Sequence, residues 1–582
     1  MADNIELYKG GWNRGCDMSF NLGPYGESVD HALAEMKVHD IMGRIWSRDH
    51  TVWKQDPTEI TNRLGWLRVV EVMKDSINRL VSFTAKIRSE GFTHVILLGM
   101  GGSSLAPEVF SRTFHVREGY PKLFVLDSTD PDAVSYYADY FNPERTLFII
   151  STKSGGTIET LSFLKFFYNR MVNTVGGDRA GEHFIAITDP GSSLADVAER
   201  HRFRSVFLND PEIGGRYAAL SYVGLVPAAL IGVDLGKLLN RAGEMMANCR
   251  PANDPAGENN SGARLGAVLG ELSKSGRDKV TIFGSPAIES FSDWVEQLIA
   301  ESTGKEGKGI LPVVGESAGA PEHYGNDRLF VYLRLGDDDT YTDLCNDLVH
   351  AGHPLVVITL EDEYDLGKQF FLWEMAAAVA CHRLHVNPFD QPDVESSKIL
   401  ARRTVAEFKE KGSLPDEPPS LTDDGIMVFG TAQSDKAEKV LTDFIERNVK
   451  PGSYVAFQAY VKPEPATYAA LQSLRVAIRD RYQVATTFGY GPRFLHSTGQ
   501  LHKGDGGGGV FVQITSENVR YVSIPDGMEK STSSISFGVL KMAQALGDRQ
   551  ALLDAGRNVI RLHMIKDVIG GVNRLTGAIK SL

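Results

Sequence analysis

Ser151-Thr152-Lys153-Ser154-Gly155-Gly156-Thr157-Ile158-Glu159-Thr160 leaves the apolar run Leu147 to Ile150. Small hydroxyls and glycines at that place read as a strand, an anion-binding turn and a helix start, because backbone N–H groups can converge on a phosphate at the positive end of a helix. A second loop of this kind lies upstream, where His94 to Leu98 runs into Gly99-Met100-Gly101-Gly102-Ser103-Ser104 before a helical stretch through Phe110. Two such loops on successive strand–helix units point to one small phosphorylated ligand.

Working outward, five short apolar runs, His94–Gly99, Leu123–Asp127, Leu147–Thr152, Phe184–Thr188 and Ser205–Asn209, alternate with helical stretches. That pattern predicts a parallel sheet covered on both faces. A second alternation has strands at Lys279–Phe283, Leu329–Leu333 and Leu355–Thr359 and a helix from Leu366 to Leu384. A third, smaller α/β unit is expected from Ile426–Phe429, Tyr454–Ala459, Val484–Phe488 and Val510–Ile514. The predicted divisions are a helical N-terminal segment (1–85), a first α/β domain (86–250), a second (263–412) and the C-terminal unit (425–582). Arg250 to Gly262 reads as a linker, and Pro415, Pro418 and Pro419 mark another junction. Thr58 to Leu67 is expected to open a long amphipathic helix, and the apolar stretch Tyr217–Val233 to form a buried one.

The 582 residues exceed what one hydrophobic core supports. A net charge of −13 argues against a general nucleic-acid surface, so any phosphate affinity must be local. The four cysteines, Cys16, Cys249, Cys345 and Cys381, form no Cys-x-x-Cys pair, which implies a reduced, cytoplasmic setting without a zinc knuckle. The acidic N-terminus lacks the features of a signal peptide, and no bilayer-spanning segment is expected.

Single motifs carry two readings each. The Gly99–Ser104 loop is either a tight turn or, with Asp127 ending the next strand, part of a dinucleotide site. Thr152–Thr157 is either a polar helix cap, with Glu159 favouring the first-turn dipole, or an anion site. On the helical pattern Ser292 to Glu301, Glu301 lies one turn beyond Gln297 at the edge of the apolar stripe. It is either a solvated helix-end acid or a partly desolvated base. Arg216, in Gly214-Gly215-Arg216-Tyr217, is either a surface turn residue or a fixed cation facing a developing oxyanion. Lys398 follows Gln391 by seven residues, two helical turns, and spacing alone assigns neither a role.

Taken together these segments resemble phosphoglucose isomerase, and in particular the isomerase half of bacterial bifunctional transaldolase/phosphoglucose isomerases. The resemblance runs in order through Gly99–Ser104, Thr152–Thr160, Gly214–Tyr217, Gln297-x-x-x-Glu301-Ser302-Thr303-Gly304-Lys305 and Phe389–Lys398. It implies two sugar-isomerase (SIS) domains, each a flavodoxin-like α/β sandwich, with no cofactor and no metal. It further implies that Gly102, Ser103, Thr152, Lys153, Ser154, Thr157 and Gly215 line the substrate site, and that Gln297 and Gln391 position the sugar. Glu301 would move a proton between C1 and C2 of glucose 6-phosphate and fructose 6-phosphate, Arg216 would stabilise the enediolate, and Lys398 would assist at the ring oxygen.

The chain departs from the family pattern at the ring-opening histidine. His323 stands near the usual place, but the Leu-His-Ser-x-Gly-Gln pattern appears downstream at Leu495 to Gln500, which favours His496. His502 remains a candidate, while His382 and His385 read as packing residues. If the third unit delivers His496 within one chain, a monomer as well as a homodimer could be active. The first 85 residues are too few for a (β/α)₈ barrel, so no transaldolase activity is expected. The rival readings are a non-catalytic phosphosugar-binding SIS protein and an NAD-dependent oxidoreductase.

Overall fold

The computed structural model describes residues 17–251, 259–415 and 417–582. Its architecture is mixed α/β, built on parallel sheets.

The first sheet has five parallel strands in the order Lys122–Leu126, His94–Leu98, Thr146–Ser151, Phe184–Thr188, Ser205–Leu208. In chain order this is 2-1-3-4-5, the flavodoxin-like arrangement, whose strand order reverses between the first and third strands. Ligands bind outside the carboxyl ends of the strands at such a reversal, because the two loops there leave in opposite directions and open a crevice. The loops at this point are Gly99–Ser104 and Thr152–Thr157, which follow the first and third strands and not successive ones, since the strand Lys122–Leu126 and its helix intervene in the chain. The topology alone therefore sets the two glycine- and hydroxyl-rich segments side by side.

The second sheet orders Leu355–Leu360, Arg328–Leu335, Lys279–Gly284 and Leu311–Val313 in parallel, with Asp17–Asn21 antiparallel along the outer edge of Leu355–Leu360. The helix Leu366–Leu384 is buried along nearly its whole length and packs against Leu235–Asn248, Ser261–Lys274 and Phe291–Thr303. A helix so largely apolar, with Lys368, Gln369, Glu374 and Arg383 themselves buried, belongs in such a position. The third sheet runs Leu421–Asp423, Ile426–Phe429, Asn558–Met564, Gly509–Ser516, Tyr454–Tyr460, Ala485–Tyr490, and its last four strands are parallel.

Several expectations need correction. The N-terminal segment is not wholly helical, since Asp17–Asn21 joins the second sheet; five residues on an edge carry no alternation to announce themselves. The long helix begins at Val69, not near Thr58, because Gly65–Arg68 forms a 3₁₀ turn whose Gly65 N–H bonds the Glu212 carbonyl at 3.1 Å. The buried helix is limited to Tyr222–Leu230, where the Ser221 hydroxyl accepts from the Val223 N–H. Gln391 and Lys398 do not share a helix, which starts only at Glu395. The expected linker is shorter than 250–262, because Asn260 caps a helix starting at Ser261; residues 252–258 of it lie outside the described residues. Cys249, Cys345 and Cys381 are buried, and Cys16 lies outside the described residues. No described helix is long and apolar enough to cross a membrane.

Candidate active site

The helix Ile158–Val175 starts at Thr157, whose extended backbone fits an N-cap but whose side chain makes no cap hydrogen bond. Its hydroxyl lies 3.0 Å from that of Thr152. Apart from the Glu159 amide, which bonds its own carboxylate, the first amides of this 18-residue helix have no N-cap side chain as acceptor, the setting in which an anion completes the cap. Ser154, Gly156, Thr157 and Glu159 line a cavity of about 290 Å³, whose other walls include Lys398, His496 and Gln544. Lys153, expected among the phosphate holders, turns elsewhere: its ammonium donates to Asp189 at 2.6 Å and to the Pro211 carbonyl at 2.7 Å. Those bonds pin the loop to the neighbouring strand end.

Beside this cavity is a buried polar cluster. Three donors converge on Oε2 of Glu301: Arg216 Nη1 at 3.2 Å, Gln297 Nε2 at 3.3 Å and Gln391 Nε2 at 3.3 Å. Glu301 and Arg216 are only 3% and 2% exposed, so both charges are removed from water and depend on each other. Burial raises the Glu301 pKa above the ordinary carboxylate range, and Arg216 and Gln297 only partly offset it. Arg216 is in turn fixed by Ser302 Oγ (2.9 Å) and by the carbonyls of Pro388 (2.5 Å) and Asp390 (3.3 Å). Four acceptors for five guanidinium N–H groups leave one Nη1 hydrogen uncommitted. The Gln297 Oε1 atom is buried without a partner, an acceptor open to a ligand hydroxyl.

His496 joins the two regions. Its backbone carbonyl accepts from Gln297 Nε2 at 2.8 Å, and its Nε2 lies 3.0 Å from Glu159 Oε1, which also accepts from Gln544 Nε2 at 2.6 Å. Burial would raise the Glu159 pKa, but the charge and hydrogen bond of His496 hold it below the ordinary range. The carboxylate therefore orients the imidazole and leaves Nδ1 for proton exchange. Of the other histidines considered, His323 sits 3.2 Å from Asp480, and His502 is 2% exposed against Tyr454 and Phe511, its pKa driven well below the usual value by burial. His382 bonds the Val52 carbonyl at 2.7 Å, and His385 ends its helix in the left-handed region.

The upstream glycine loop serves as a spacer. A Cβ at Gly102 would overlap the Gly215 carbonyl and stand 2.9 Å from the Arg216 nitrogen; one at Gly101 would lie 2.8 Å from His496 Cβ and 3.0 Å from Gln297 Nε2. Glycine is required there because the backbones at Gly215–Arg216 and His496 and the side-chain amide of Gln297 all press on that loop. Ser103 is half-buried in the same turn. Gly102→Ala is accordingly expected to cost about 1–3 kcal/mol of stability through overpacking, with a loss of turnover, measurable by urea titration and steady-state kinetics.

Asp127 is not available to a ribose: it is 9% exposed, accepts from Ser104 Oγ at 3.2 Å and lies 3.3 Å from Arg493 Nε. The oxidoreductase reading thereby loses its acid. Sequence reasoning missed Glu159 as the histidine's partner, together with Gln544, Ser302 and Lys305. The Lys305 ammonium, 1% exposed, donates to Asn387 O, Asp390 O and Asp390 Oδ1 at 2.7 to 2.8 Å, tying down the segment that supplies Gln391 and the Arg216 acceptors. Lys398 is one-third exposed on the cavity wall, 3.4 Å from Glu395.

Residues 45–311 match the family model described as phosphoglucose isomerase. The chain is 28% identical over 481 residues to the glucose-6-phosphate isomerase of Prochlorococcus marinus, covering 71% of this chain and 90% of that protein. It is 27% identical over 397 residues to the probable glucose-6-phosphate isomerase of Methanococcus maripaludis, covering 60% and 86%. In fold it is similar to a glucose-6-phosphate isomerase structure from Chlamydia trachomatis, with TM-score 0.58, 18% identity and coverage of 68% and 89%. A hypothetical protein from Thermus thermophilus is also similar, with TM-score 0.57, 22% identity and coverage of 67% and 100%. Gln391, Lys398 and His496 lie beyond the segment matched by the family model, whereas both anion-type loops, Arg216, Gln297 and Glu301 lie within it. Through that segment, which spans a little under half of its 582 residues, this chain is similar to phosphoglucose isomerases, and the relatives named above are matched over most of their own length.

Proposed function

We propose that this chain interconverts glucose 6-phosphate and fructose 6-phosphate, with Glu301 as the base that carries the proton between C2 and C1. The observation that carries the reading is the convergence of Arg216, Gln297 and Gln391 on one oxygen of a buried carboxylate, whose helix is tied to His496 through Gln297.

The 6-phosphate completes the cap of the helix Ile158–Val175, held by the hydroxyls of Thr152, Ser154 and Thr157, with Ser103 on the adjoining loop. His496 Nδ1 exchanges a proton with the sugar ring as it opens, and Glu159 stabilises the resulting imidazolium. Lys398, on the same cavity wall, assists at the ring oxygen. A proton next to a carbonyl is too weakly acidic for a carboxylate to take unless the oxyanion is stabilised as it forms. The remaining Arg216 N–H supplies that stabilisation, and the Gln297 carbonyl accepts a sugar hydroxyl. The reading takes the chain to be a cytoplasmic enzyme of glycolysis and gluconeogenesis whose partner is a sugar phosphate, not a nucleic acid.

Glu159 and His496 meet within one chain, although 337 residues separate them. A single chain therefore holds every group named above. Specific activity toward fructose 6-phosphate should stay constant as enzyme is diluted from micromolar to low nanomolar while size-exclusion scattering tracks its mass. Disappearance of activity at dilutions that produce monomer would reject single-chain catalysis, and absence of turnover at every concentration would reject the isomerase reading.

A further inference from the structure

A second cleft, about 430 Å³, lies where the helix Phe291–Thr303 and the segment just before it meet the third unit. Glu289, Asp293 and Glu296 stand along one wall; Tyr468, Phe488 and Tyr490 form another, with Phe488 edge-on to both tyrosines at centroid distances of 5.7 and 4.9 Å. The volume falls in the usual range for small-molecule sites.

The charge balance of this cleft is unusual. Among the described residues, none of the three carboxylates has an ion-pair or hydrogen-bond partner. The arginines on the walls make their close contacts elsewhere and reach the carboxylates only through longer-range charge, Arg493 and Arg112 on Asp293 and Arg475 and Arg493 on Glu296, without overcoming the effect of burial. Arg493 bonds Glu108 and faces Asp127, Arg112 pairs with Glu108 at 3.0 Å, and Arg475 donates to the carbonyls of Thr486 and Val314 at 2.6 and 2.9 Å. The cleft also leaves uncharged groups unmatched. Gln472 and Ser290, 9% and 8% exposed, line it with Gln472 Oε1 and Ser290 Oγ unpartnered, and the Tyr490 hydroxyl is likewise enclosed without a partner. Buried polar atoms are rarely left so, and several around one cavity mark a place where a ligand supplies the missing bonds.

We propose that this cleft binds a small organic cation bearing primary ammonium groups, its N–H donors on Glu296, Asp293 and Gln472 Oε1 and its alkyl chain against the aromatic wall. Aromatic faces and unpaired carboxylates together favour an ammonium, because ring quadrupoles attract a cation and the carboxylates need a donor with charge. A hydrated divalent metal would demand an oxygen cage and gain little from the rings. Burial, with Asp293 alongside, pushes Glu296 up to about 8, and burial raises Asp293 to about 6. At pH 7 Glu296 thus holds a proton that a cation would displace, while Asp293 is mostly ionised. The site is also placed to matter. It shares a helix with Gln297 and Glu301, and its far wall includes Arg493, Phe494 and Ser497, which flank His496.

Isothermal titration of the full chain with 1,4-diaminobutane at pH 7 tests this. Saturable binding of one equivalent near or below 1 mM is expected, with proton release shown by different heats in two buffers of unlike ionisation enthalpy. Potassium chloride at equal ionic strength should give no such isotherm. Glu296→Gln with Asp293→Asn should weaken binding at least tenfold while isomerase turnover persists, since neither residue touches the Glu301 cluster. No saturable binding to the unaltered chain, an isotherm reproduced by potassium chloride, or undiminished binding in the double variant would each overturn the proposal.

Discussion

Glu301→Gln lowers kcat by about 10²- to 10⁴-fold, the range for loss of a positioned general base, while fructose 6-phosphate still binds. Glutamine keeps the volume and retains a carbonyl oxygen able to accept from Arg216, Gln297 and Gln391, so the phosphate loops and the sugar contacts stay in place. What disappears is the one group at this point able to take a proton from carbon. Stopped-time assays of turnover beside calorimetric binding separate the two effects. Equal loss of binding and turnover would mean that Glu301 acts structurally. Unaltered turnover would mean that the base is elsewhere, and a chain that binds phosphosugars without turning them over would then be the better description.

The same residue sets a pH dependence with a definite sign. Its pKa is raised in the folded chain, chiefly by burial, so the native state keeps its proton over a window that begins at the ordinary value of 4.5. The stability this contributes is complete below 4.5 and is lost as pH rises through the folded pKa. The base is active only when deprotonated, so the acid limb of kcat/KM, which reports the free enzyme, should have its midpoint above 4.5 and be absent from the glutamine variant's residual rate.

Much of the site was legible because it is local. The strand–turn–helix pattern of Leu147 to Thr160 is written in contiguous residues, and the 2-1-3-4-5 order then brings the Gly99 loop to the same crevice without further information. The Gln297–Glu301 spacing likewise follows from helical geometry. The remainder depends on long-range closure. Glu159 read as a dipole-favouring helix acid because its partner His496 comes from a different sheet's connection, and the backbone carbonyls of Pro388 and Asp390 that grip Arg216 have no side-chain signature. Lys153 misled for the opposite reason: a lysine in an anion-type loop fits a phosphate, but Asp189 and Pro211 take its charge first. The strand Asn558–Met564 escaped notice because Arg561 and His563, both largely buried, interrupt its apolar run.

Arg216→Met should be the most damaging single change in both stability and rate. It strips a buried carboxylate of its cation, which costs about 3–5 kcal/mol, and leaves Ser302, Pro388 and Asp390 without their shared donor. The carboxyl escapes part of that cost by protonating, so Glu301 is also lost as a base at neutral pH. Adding Glu301→Gln to Arg216→Met should therefore raise stability relative to Arg216→Met alone, with a coupling of about 1–3 kcal/mol in a urea-denaturation cycle, because a neutral amide needs no guanidinium. Strict additivity would show that the two side chains do not hold each other. Arg216→Lys separates folding from chemistry: its ammonium keeps the charge but cannot reach Ser302 Oγ, Glu301 Oε2 and two carbonyls from one plane. That variant should fold, bind fructose 6-phosphate, and turn over about 10²- to 10³-fold more slowly, as expected when an oxyanion donor is removed. A fully active lysine variant would leave Arg216 a structural cation and shift the oxyanion role to Gln297 or Gln391.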